Sequence, residues 1–532
     1  MAVSELKGDE VVLASLGYKQ EFKRDFRAVD IFGLGVSVIG VVPSVSSVLV
    51  YAVSYGGPFA MVWGWAIASI FLMCIALAVA ELSSSMPTSG GVYYWTYRLS
   101  SPRYRSMLSW LVGYVNTLSY IAGIAAVDWS FAVQIMAAAS IGSDRAFSAT
   151  TAQTYGLYIA IIILHCTLVS TSTKFLARLQ YLGVFLNLAL ILILIVGMPI
   201  ATPTDFKNSG SYAFGHFENC KLYYMASLRK FFDWPNGFAF ILSFLAPLWT
   251  VSGFDAIVHV SEEARNAKTA VPWGILCSIS MACVLGWILN VVLALNMGTD
   301  LVDILSNAIE QPMATILLNS FGKTGALAIW SILILSQSVL SISVVIISSR
   351  QNFAFSRDGA FPFSTHLYRL NKGMTSPVYS VWVAGFLGVL LGLLVFAGST
   401  ASAALFSLSI IGQYTSISIP IAARFLGGQE FKPGPFTLGR FGLPVAAVAI
   451  VWMVFMLIVL LFPASSTVSS AGDMNFSIVV YSGVVGLALA YFYFPKYGGV
   501  HWFRGPVTTI ASGWDDASEK ECELSSPTPS GS

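Results

Sequence analysis

The chain has 532 residues, of which 56% are hydrophobic and only 10% are charged. Soluble domains carry about 25% charged residues, so this composition excludes an ordinary soluble protein and indicates that a lipid bilayer covers most of the surface. The net charge of +2 is too small to suggest a nucleic-acid partner.

Twelve stretches are apolar enough for membrane-spanning helices, which need about 20 residues each. They cover approximately residues 30–53, 59–82, 108–138, 153–171, 179–200, 237–259, 271–296, 325–349, 377–398, 401–424, 442–462 and 475–495. The sequence therefore predicts an all-α integral membrane protein with one twelve-span domain over residues 30–495. We expect the flanking tails, 1–29 and 496–532, to be mostly disordered because they are polar.

Lysine and arginine are distributed unevenly between the two sides of this arrangement. With the amino terminus inside, 22 of the 28 basic residues fall in inner segments and 6 in outer loops. Positive residues favour the cytosolic side, so both termini are predicted to be cytosolic. The long segment 201–236 is then an outer loop, which we expect to form a folded cap. The same pattern suits the plasma membrane and the vacuolar membrane.

Two spans carry helix-breaking residues near their middles, one at 42–44 and the other within 247–263. Interrupted spans at matching places in two halves are typical of transporter sites, because half-helix ends and freed carbonyls can hold charged groups. The halves would be repeats over about 30–200 and 237–424, followed by extra spans over 442–495. The alternative is a pair of ordinary proline kinks. Candidate substrate ligands at the breaks are Pro43, Ser44, Ser46, Ser47, Trp249, Thr250 and Ser252.

Two acids lie inside predicted spans, Asp128 in the third and Asp255 in the sixth. Ionisable groups in spans are costly and usually face the bundle interior. Either acid could attract a cationic amine or exchange a proton, and the alternative is a structural carboxyl near a helix end. Trp249 could pack on an ammonium group or shut a narrow pathway. His259 follows Asp255 by one turn and is either an interfacial residue or a proton acceptor, so Asp255, His259 and Trp249 are the gating or coupling candidates.

Several motifs with known chemistry are missing from the chain. It has no H-E-x-x-H, G-x-S-x-G or P-loop sequence, and its six cysteines show no C-x-x-C spacing. We therefore expect no enzyme activity, no cofactor and no metal site.

Three stretches resemble signatures of the amino acid–polyamine–organocation superfamily. They are AELSSSMPTSGGVYYW at 80–95, SGFDAIVHVSEEARNAK at 252–268 and RQNFAFSRDGAF at 350–361. Three more are similar to the fungal amino acid/choline transporters and, within them, to GABA permeases: LGYKQEFKRDF at 16–26, AAVDWS around Asp128, and FKPGPFTLGR at 431–440. The resemblance runs over about residues 11–495.

The resemblance implies a leucine-transporter-like fold, with two inverted five-helix repeats and two further helices. It implies a permease that binds its substrate between spans 1, 3, 6, 8 and 10, with GABA or a related amino acid favoured over choline or a polyamine. Ser44, Ser46 and Ser47 would then hold a carboxylate, and Asp128 and Trp249 would meet the amine. Expected wall residues are Gln337, Gln413 and Tyr414.

Two departures from the family pattern affect this expectation. The Gly-Ser-Gly break of relatives is replaced here by the Val-Pro-Ser sequence at 42–44, which favours a ligand with differently spaced charged ends. Residues 179–200 contain no lysine, so the lysine that serves proton coupling in some relatives is absent, although proton coupling is still expected. A rival interpretation is a nutrient sensor that keeps the carrier fold, but the short tails favour a carrier.

Overall fold

The structure is a computed structural model that describes residues 8–22, 24–171, 173–219, 234–369, 376–398, 401–463 and 474–509. Within these ranges the regular structure is helical, and the β pairing is limited to one parallel bridge between Phe26 and Ala264. An all-helical chain was the sequence prediction, and it is confirmed for the described residues.

The apolar helices are numbered in chain order. They are α1 (Ala28–Ile39), α2 (Val41–Ser54), α3 (Gly57–Ser85), α4 (Arg105–Gly142), α5 (Thr151–Val169), α6 (Thr173–Ala201), α7 (Asn236–Thr250), α8 (Ala267–Leu295), α9 (Pro312–Arg357), α10 (Val378–Ala397), α11 (Ala401–Leu426), α12 (Gly439–Leu460) and α13 (Phe476–Phe492). Short helices lie between or beyond them, at Asp9–Ser15, Gly91–Leu99, Gly210–Gly215, Leu301–Ser306, Ser364–Leu367 and Gly499–Trp502.

By length and composition, ten of these units are able to cross a membrane, with α1 and α2 counted together as one. The chain is thus an integral, multi-pass membrane protein. The shorter helices α7 and α13 coincide with the predicted sixth and twelfth spans, so the count of twelve crossings stays a prediction. The sixth span differs most from expectation, because α7 ends at Thr250 and a 3₁₀ helix follows only at Val258–Glu263.

Helix α4 lies at the centre of the bundle and packs against α5, α9, α10, α11 and α13. A second group forms around α8, which packs against α1 and α3. The broken helices connect the two groups, since α2 packs against α7 on one side and α9 on the other. Both breaks therefore lie in the interior of the protein, where lipid does not reach the backbone groups they expose.

The described parts of both tails are ordered, so the expectation of disorder is wrong for them. Tyr18 and Phe26 are buried, and the Phe26 N–H donates to the Glu263 carbonyl at 3.0 Å. The Thr509 N–H donates to the Gly17 carbonyl at 2.9 Å, so the two tails meet at one end of the bundle. We call this end, where residues 8–26 and 496–509 pack, the tail face. Residues 1–7, 23 and 510–532 lie outside the described ranges.

The predicted outer loop lies at the opposite end, which we call the loop face. Its described residues include the helix Gly210–Gly215, held by a hydrogen bond from the Trp63 indole N–H to the Phe214 carbonyl at 2.9 Å. Residues 220–233 of the predicted cap lie outside the described part of the chain.

Candidate substrate and gating site

The first helix break lies at Gly40, between α1 and α2. Gly40 has φ 46° and ψ 68°, a left-handed conformation that glycine adopts without steric cost. A side chain there would collide with Leu340 of α9. The break predicted at 42–44 is therefore displaced: these residues form the first turn of α2, where Pro43 is tolerated because its missing N–H has no helical partner.

Three serine hydroxyls close this first break. Ser44 Oγ donates to the Ile39 carbonyl at 2.6 Å, and Ser46 and Ser47 donate to the Pro43 carbonyl at 2.8 and 2.9 Å. Gln134 of α4 adds a hydrogen bond from Nε2 to Ser46 Oγ at 2.8 Å. The hydroxyl protons that the sequence assigned to a substrate carboxylate are thus donated to the backbone in this conformation.

The second break follows α7 and lies beside the first. Gly253 has φ 82°, and its N–H donates to Gln413 Oε1 of α11 at 3.2 Å. A Cβ atom on Gly253 would lie 3.2 Å from Val38 of α1. Ser252 lies within this break, whereas the Thr250 hydroxyl is bonded back to the Ala246 carbonyl at 3.0 Å. The structure therefore brings the two interruptions together.

Asp255 and His259 form a buried polar cluster directly below the second break. Asp255 Oδ1 accepts from Gln413 Nε2 at 3.0 Å, and Oδ2 lies 3.1 Å from His259 Nε2. His259 Nδ1 donates to the Ser89 carbonyl at 2.8 Å, and Nε2 also lies 3.3 Å from Asn116 Nδ2. Because a carbonyl oxygen only accepts, Nδ1 carries a hydrogen, and Nε2 faces both the Asp255 carboxylate and the Asn116 amide.

Trp249 lies above the breaks, on the side of the loop face. Its ring meets Phe406 of α11 edge-on with 4.7 Å between ring centres, and Tyr51 lies 5.9 Å from Phe406. Above these rings is a vestibule, a cavity of about 210 Å³ lined by residues that include Tyr51, Ser54, Leu245, Ser407 and Asn475. Trp249 and Phe406 are only 6% and 3% exposed, and neither lines this cavity.

Asp128 lies in a different cluster from Trp249. Its Oδ1 is 2.8 Å from His165 Nδ1 on α5, and His165 Nε2 is 3.1 Å from Ser338 Oγ on α9. Its other oxygen, Oδ2, has no hydrogen-bond partner among the described residues. The sequence placed Asp128 with the substrate amine, but the structure places its carboxylate between α4, α5 and α9 and does not bring it to the breaks.

Two of the expected wall residues also have other partners. Gln337 of α9 donates from Nε2 to the Val127 carbonyl of α4 at 3.1 Å, beside Asp128. Tyr414 is completely buried and faces Trp452 of α12. Of the three wall candidates, only Gln413 reaches the breaks.

The tail face is closed beneath the Asp255 cluster by ion pairs. Arg357 Nη1 lies 3.1 Å from Glu262 Oε2, and Arg350 Nε lies 3.2 Å from Glu263 Oε1. All four side chains are at most 4% exposed. Two buried salt bridges therefore close the tail face below the breaks, whereas the vestibule lies on the loop-face side of them.

Asp358, just beyond α9, joins both tails to this closure. It accepts hydrogen bonds from Tyr18 and Tyr93 at 3.0 and 2.7 Å, and from the Val507 N–H at 3.1 Å. Burial raises the pKa of the Asp358 carboxyl to about 6. The tails are therefore part of the closed tail face.

Sequence reasoning missed several residues of these clusters, namely Gln134, Asn116, Phe406 and His165. His165 had a readable signal, because it is a lone histidine in an apolar span that faces the span of Asp128. Phe406 had none, since nothing distinguishes it from the other 35 phenylalanines of the 36 in the chain. Among the described residues no group of His, Cys, Asp and Glu is arranged to hold a metal ion.

Comparisons with known proteins agree with this architecture. The family model described as amino acid permease matches residues 29–484. An uncharacterized amino-acid permease of Schizosaccharomyces pombe is 36% identical over 507 residues, covering 95% of this chain and 89% of that protein. The GABA-specific permease of Saccharomyces cerevisiae is 34% identical, with 96% and 87% covered, and the amino-acid permease BAT1 of Arabidopsis thaliana is 30% identical, with 96% and 98% covered.

Proposed function

The chain belongs to the amino acid permease family, and we propose that it is a proton-coupled secondary transporter of a small amine-bearing solute, GABA or a related amino acid. The relatives are named as permeases, not enzymes, and one of them as GABA-specific. The observation that carries the proposal is the pair of adjacent helix breaks, which lie between a vestibule on one side and a closed ion-pair layer on the other.

The proposal includes a twelve-helix, leucine-transporter-like architecture with the tail face in the cytosol. The hydrogen bond between Thr509 and Gly17 supports it, because both described tails lie at the same end of the bundle, as an even number of crossings requires. The described basic residues at this end, such as Arg350 and Arg357, agree with a cytosolic orientation. The arrangement suits the plasma membrane and the vacuolar membrane alike.

We place the substrate between the two breaks. Its carboxylate would lie at the amino-terminal end of α2, where the helix dipole is positive and Ser44, Ser46 and Ser47 are close. Its ammonium would meet the free carbonyls after α7, with the Trp249 face above it and Asp255 below. We place Asp128 outside this binding mode, because its Oδ1 lies 2.8 Å from His165 Nδ1 on α5.

We place the coupling proton on Asp255 and His259. This pair is completely buried and contacts three other elements: Gln413 of α11, Asn116 of α4 and the turn that holds Ser89. A change in its protonation therefore alters contacts between the α8-centred group and the α4-centred group. Binding or release of the proton would therefore shift the equilibrium between the closed and the open tail face.

Labelled-GABA uptake into proteoliposomes of the purified chain tests this proposal. We expect uptake that increases when the outside is acidic, and unlabelled GABA should compete more strongly than choline or a polyamine. Stronger competition by choline or putrescine would instead identify the alternative substrate class. Specific binding of GABA without any uptake would favour the nutrient sensor, and neither binding nor uptake of any of these amines would contradict both interpretations.

A further inference from the structure

A large cavity at the tail face is not part of the transport pathway. It has a volume of about 540 Å³. Its walls come from the amino-terminal segment at Ser15 and Leu16, the end of α3, the region between α3 and α4, the start of α8 and the loop between α11 and α12. Elements of both helix groups therefore meet at this cavity.

The charge in the cavity is strongly positive. Arg98, Arg105, Lys268 and Lys432 line it, together with a single carboxylate, Glu430. Within the part of the chain that the structure describes, none of these four cations has a carboxylate within salt-bridge distance, in contrast to Arg350, Arg357 and Arg424. A preference for basic residues on the cytosolic side explains four cations at this face. It does not explain why they converge on one cavity whose single carboxylate, Glu430, is beyond salt-bridge distance of all four.

Hydrogen bonds that do not involve these charges hold the walls in place. Ser84 donates to the Lys268 carbonyl at 2.8 Å, and Ser85 donates to the Lys432 carbonyl at 2.6 Å. Glu81 accepts from the Leu438 N–H at 3.0 Å, which fixes the loop between α11 and α12. The cavity is thus preformed, and neutralising a lysine or arginine at its rim leaves these bonds intact.

We propose that this pocket binds a multiply phosphorylated anion, either the headgroup of an inner-leaflet phosphoinositide or a soluble inositol polyphosphate. Several phosphates match several unpaired cations, and basic pockets at the cytosolic ends of membrane helices suit such headgroups. Arg105 has its guanidinium carbon 4.8 Å from the centre of the Tyr97 ring, and Tyr97 also lines the cavity. The inference uses the orientation given under the proposed function but is independent of the transported substrate.

A bound anion would connect the two helix groups. Lys268 is the second residue of α8, whereas Arg105 is the first residue of α4 and Lys432 belongs to the loop after α11. A ligand held by all three stabilises the conformation in which they converge. That conformation has a closed tail face, so the anion is expected to raise the melting temperature of the protein and to slow opening toward the cytosol.

Binding to the purified full chain in detergent tests the proposal, with dioctanoyl phosphatidylinositol 4,5-bisphosphate as the probe. Each neutralised cation is expected to weaken binding about fivefold, so the double variant Arg98→Gln/Lys268→Gln should lose roughly twenty-five-fold. Arg103→Gln is the matched control, because Arg103 is exposed on the same connection but does not line the cavity. A melting temperature without ligand that matches the unmodified chain shows that each variant is folded.

A parallel titration with inositol 1,4,5-trisphosphate separates the two sources. Binding of both probes with similar affinity assigns the site to a soluble polyphosphate, and much tighter binding of the dioctanoyl lipid assigns it to a headgroup in the membrane. No binding of either probe, or equal losses in the double variant and in Arg103→Gln, would overturn the proposal. Because none of these measurements requires GABA uptake, failure here is distinct from failure of the proposed transport function.

Discussion

The Asp255–His259 pair leads to a quantitative prediction about energy coupling. Asp255→Asn removes the carboxylate that lies 3.1 Å from His259 Nε2 but retains side-chain oxygen and nitrogen atoms for Gln413 and His259. With the charge gone, His259 can be neutral and no unpaired charge is left buried. We therefore expect a loss of about 1 kcal/mol of stability, the size of one hydrogen bond, and a folded protein.

The expected effect on transport follows from the proposal that this pair carries one proton with each substrate molecule. One proton carried per substrate across a gradient of 2 pH units, with the membrane potential clamped at zero, sustains about 100-fold accumulation. Asp255→Asn should reduce this ratio to about 1, because the proton no longer accompanies the substrate. Exchange of labelled for unlabelled substrate across the membrane should continue, since it requires no net proton movement.

Steady-state accumulation in proteoliposomes, with the potential clamped by potassium and valinomycin, measures this ratio. Asp128→Asn is the matched control, because Asp128 is also buried beside a histidine but lies between the regular helices α4 and α5. The control should keep the gradient-driven ratio. If Asp255→Asn kept the full accumulation ratio and Asp128→Asn lost it, the coupling site would be the Asp128–His165 pair. That result would refute the assignment to Asp255 and His259.

Three further predictions follow from the same geometry. Trp249→Leu should raise the GABA concentration for half-maximal uptake about tenfold or more, because a desolvated cation–π contact is worth about 2 kcal/mol. Trp249→Phe should raise this concentration less. Equal, small increases in both variants would show that Trp249 is a packing residue. Gly253→Ala should cost about 1–2 kcal/mol of stability, because φ at this residue is 82° and the added carbon would lie 3.2 Å from Val38. Thermal melts compare this variant with Gly237→Ala, where the added carbon meets open space. Because of Asp358, the folded protein should be more stable at pH 5 than at pH 7.

The sign of the Asp358 effect comes from its raised pKa of about 6, compared with about 3.9 in an unfolded chain. Between these values the folded protein binds the extra proton, so the free energy of unfolding increases as the pH falls through this window. The expected gain from pH 7 to pH 5 is about 1 kcal/mol. Melting temperatures of the unmodified chain and Asp358→Asn at both pH values measure it, and an identical pH response in the two proteins would remove Asp358 as the cause.

Hydropathy was enough to predict the helical class, and helix-breaking residues indicated which two spans are interrupted. The exact position of the first break was not predictable from proline alone. Pro43 fits the first turn of a helix as well as it fits a break. The break is instead at Gly40, which adopts a left-handed conformation and where Leu340 of α9 leaves no room for a side chain. The position of such a break depends on side chains that are distant in the sequence, and a local sequence pattern does not show which ones will be in contact.

The partners of the buried acids show the same limit. Both Asp128 and Asp255 were identified as unusual within apolar spans, but the sequence could not show which face of α4 carries Asp128. The structure gives it His165 as a partner, 37 residues away, whereas Asp255 receives Gln413, 158 residues away. The tails were misjudged for a related reason: their composition is polar, but Tyr18 and Phe26 are placed so that they pack against the ends of the spans.

Counterflow is the most direct test of the central claim that this chain carries an amine-bearing amino acid. Proteoliposomes loaded with unlabelled GABA are diluted into a trace of labelled GABA, with no pH gradient and no membrane potential. We expect a transient accumulation of labelled GABA. It should be smaller in Trp249→Leu and absent when choline replaces the internal GABA. Absence of any transient with GABA or a related amino acid inside, from protein that is shown to be folded, would contradict it.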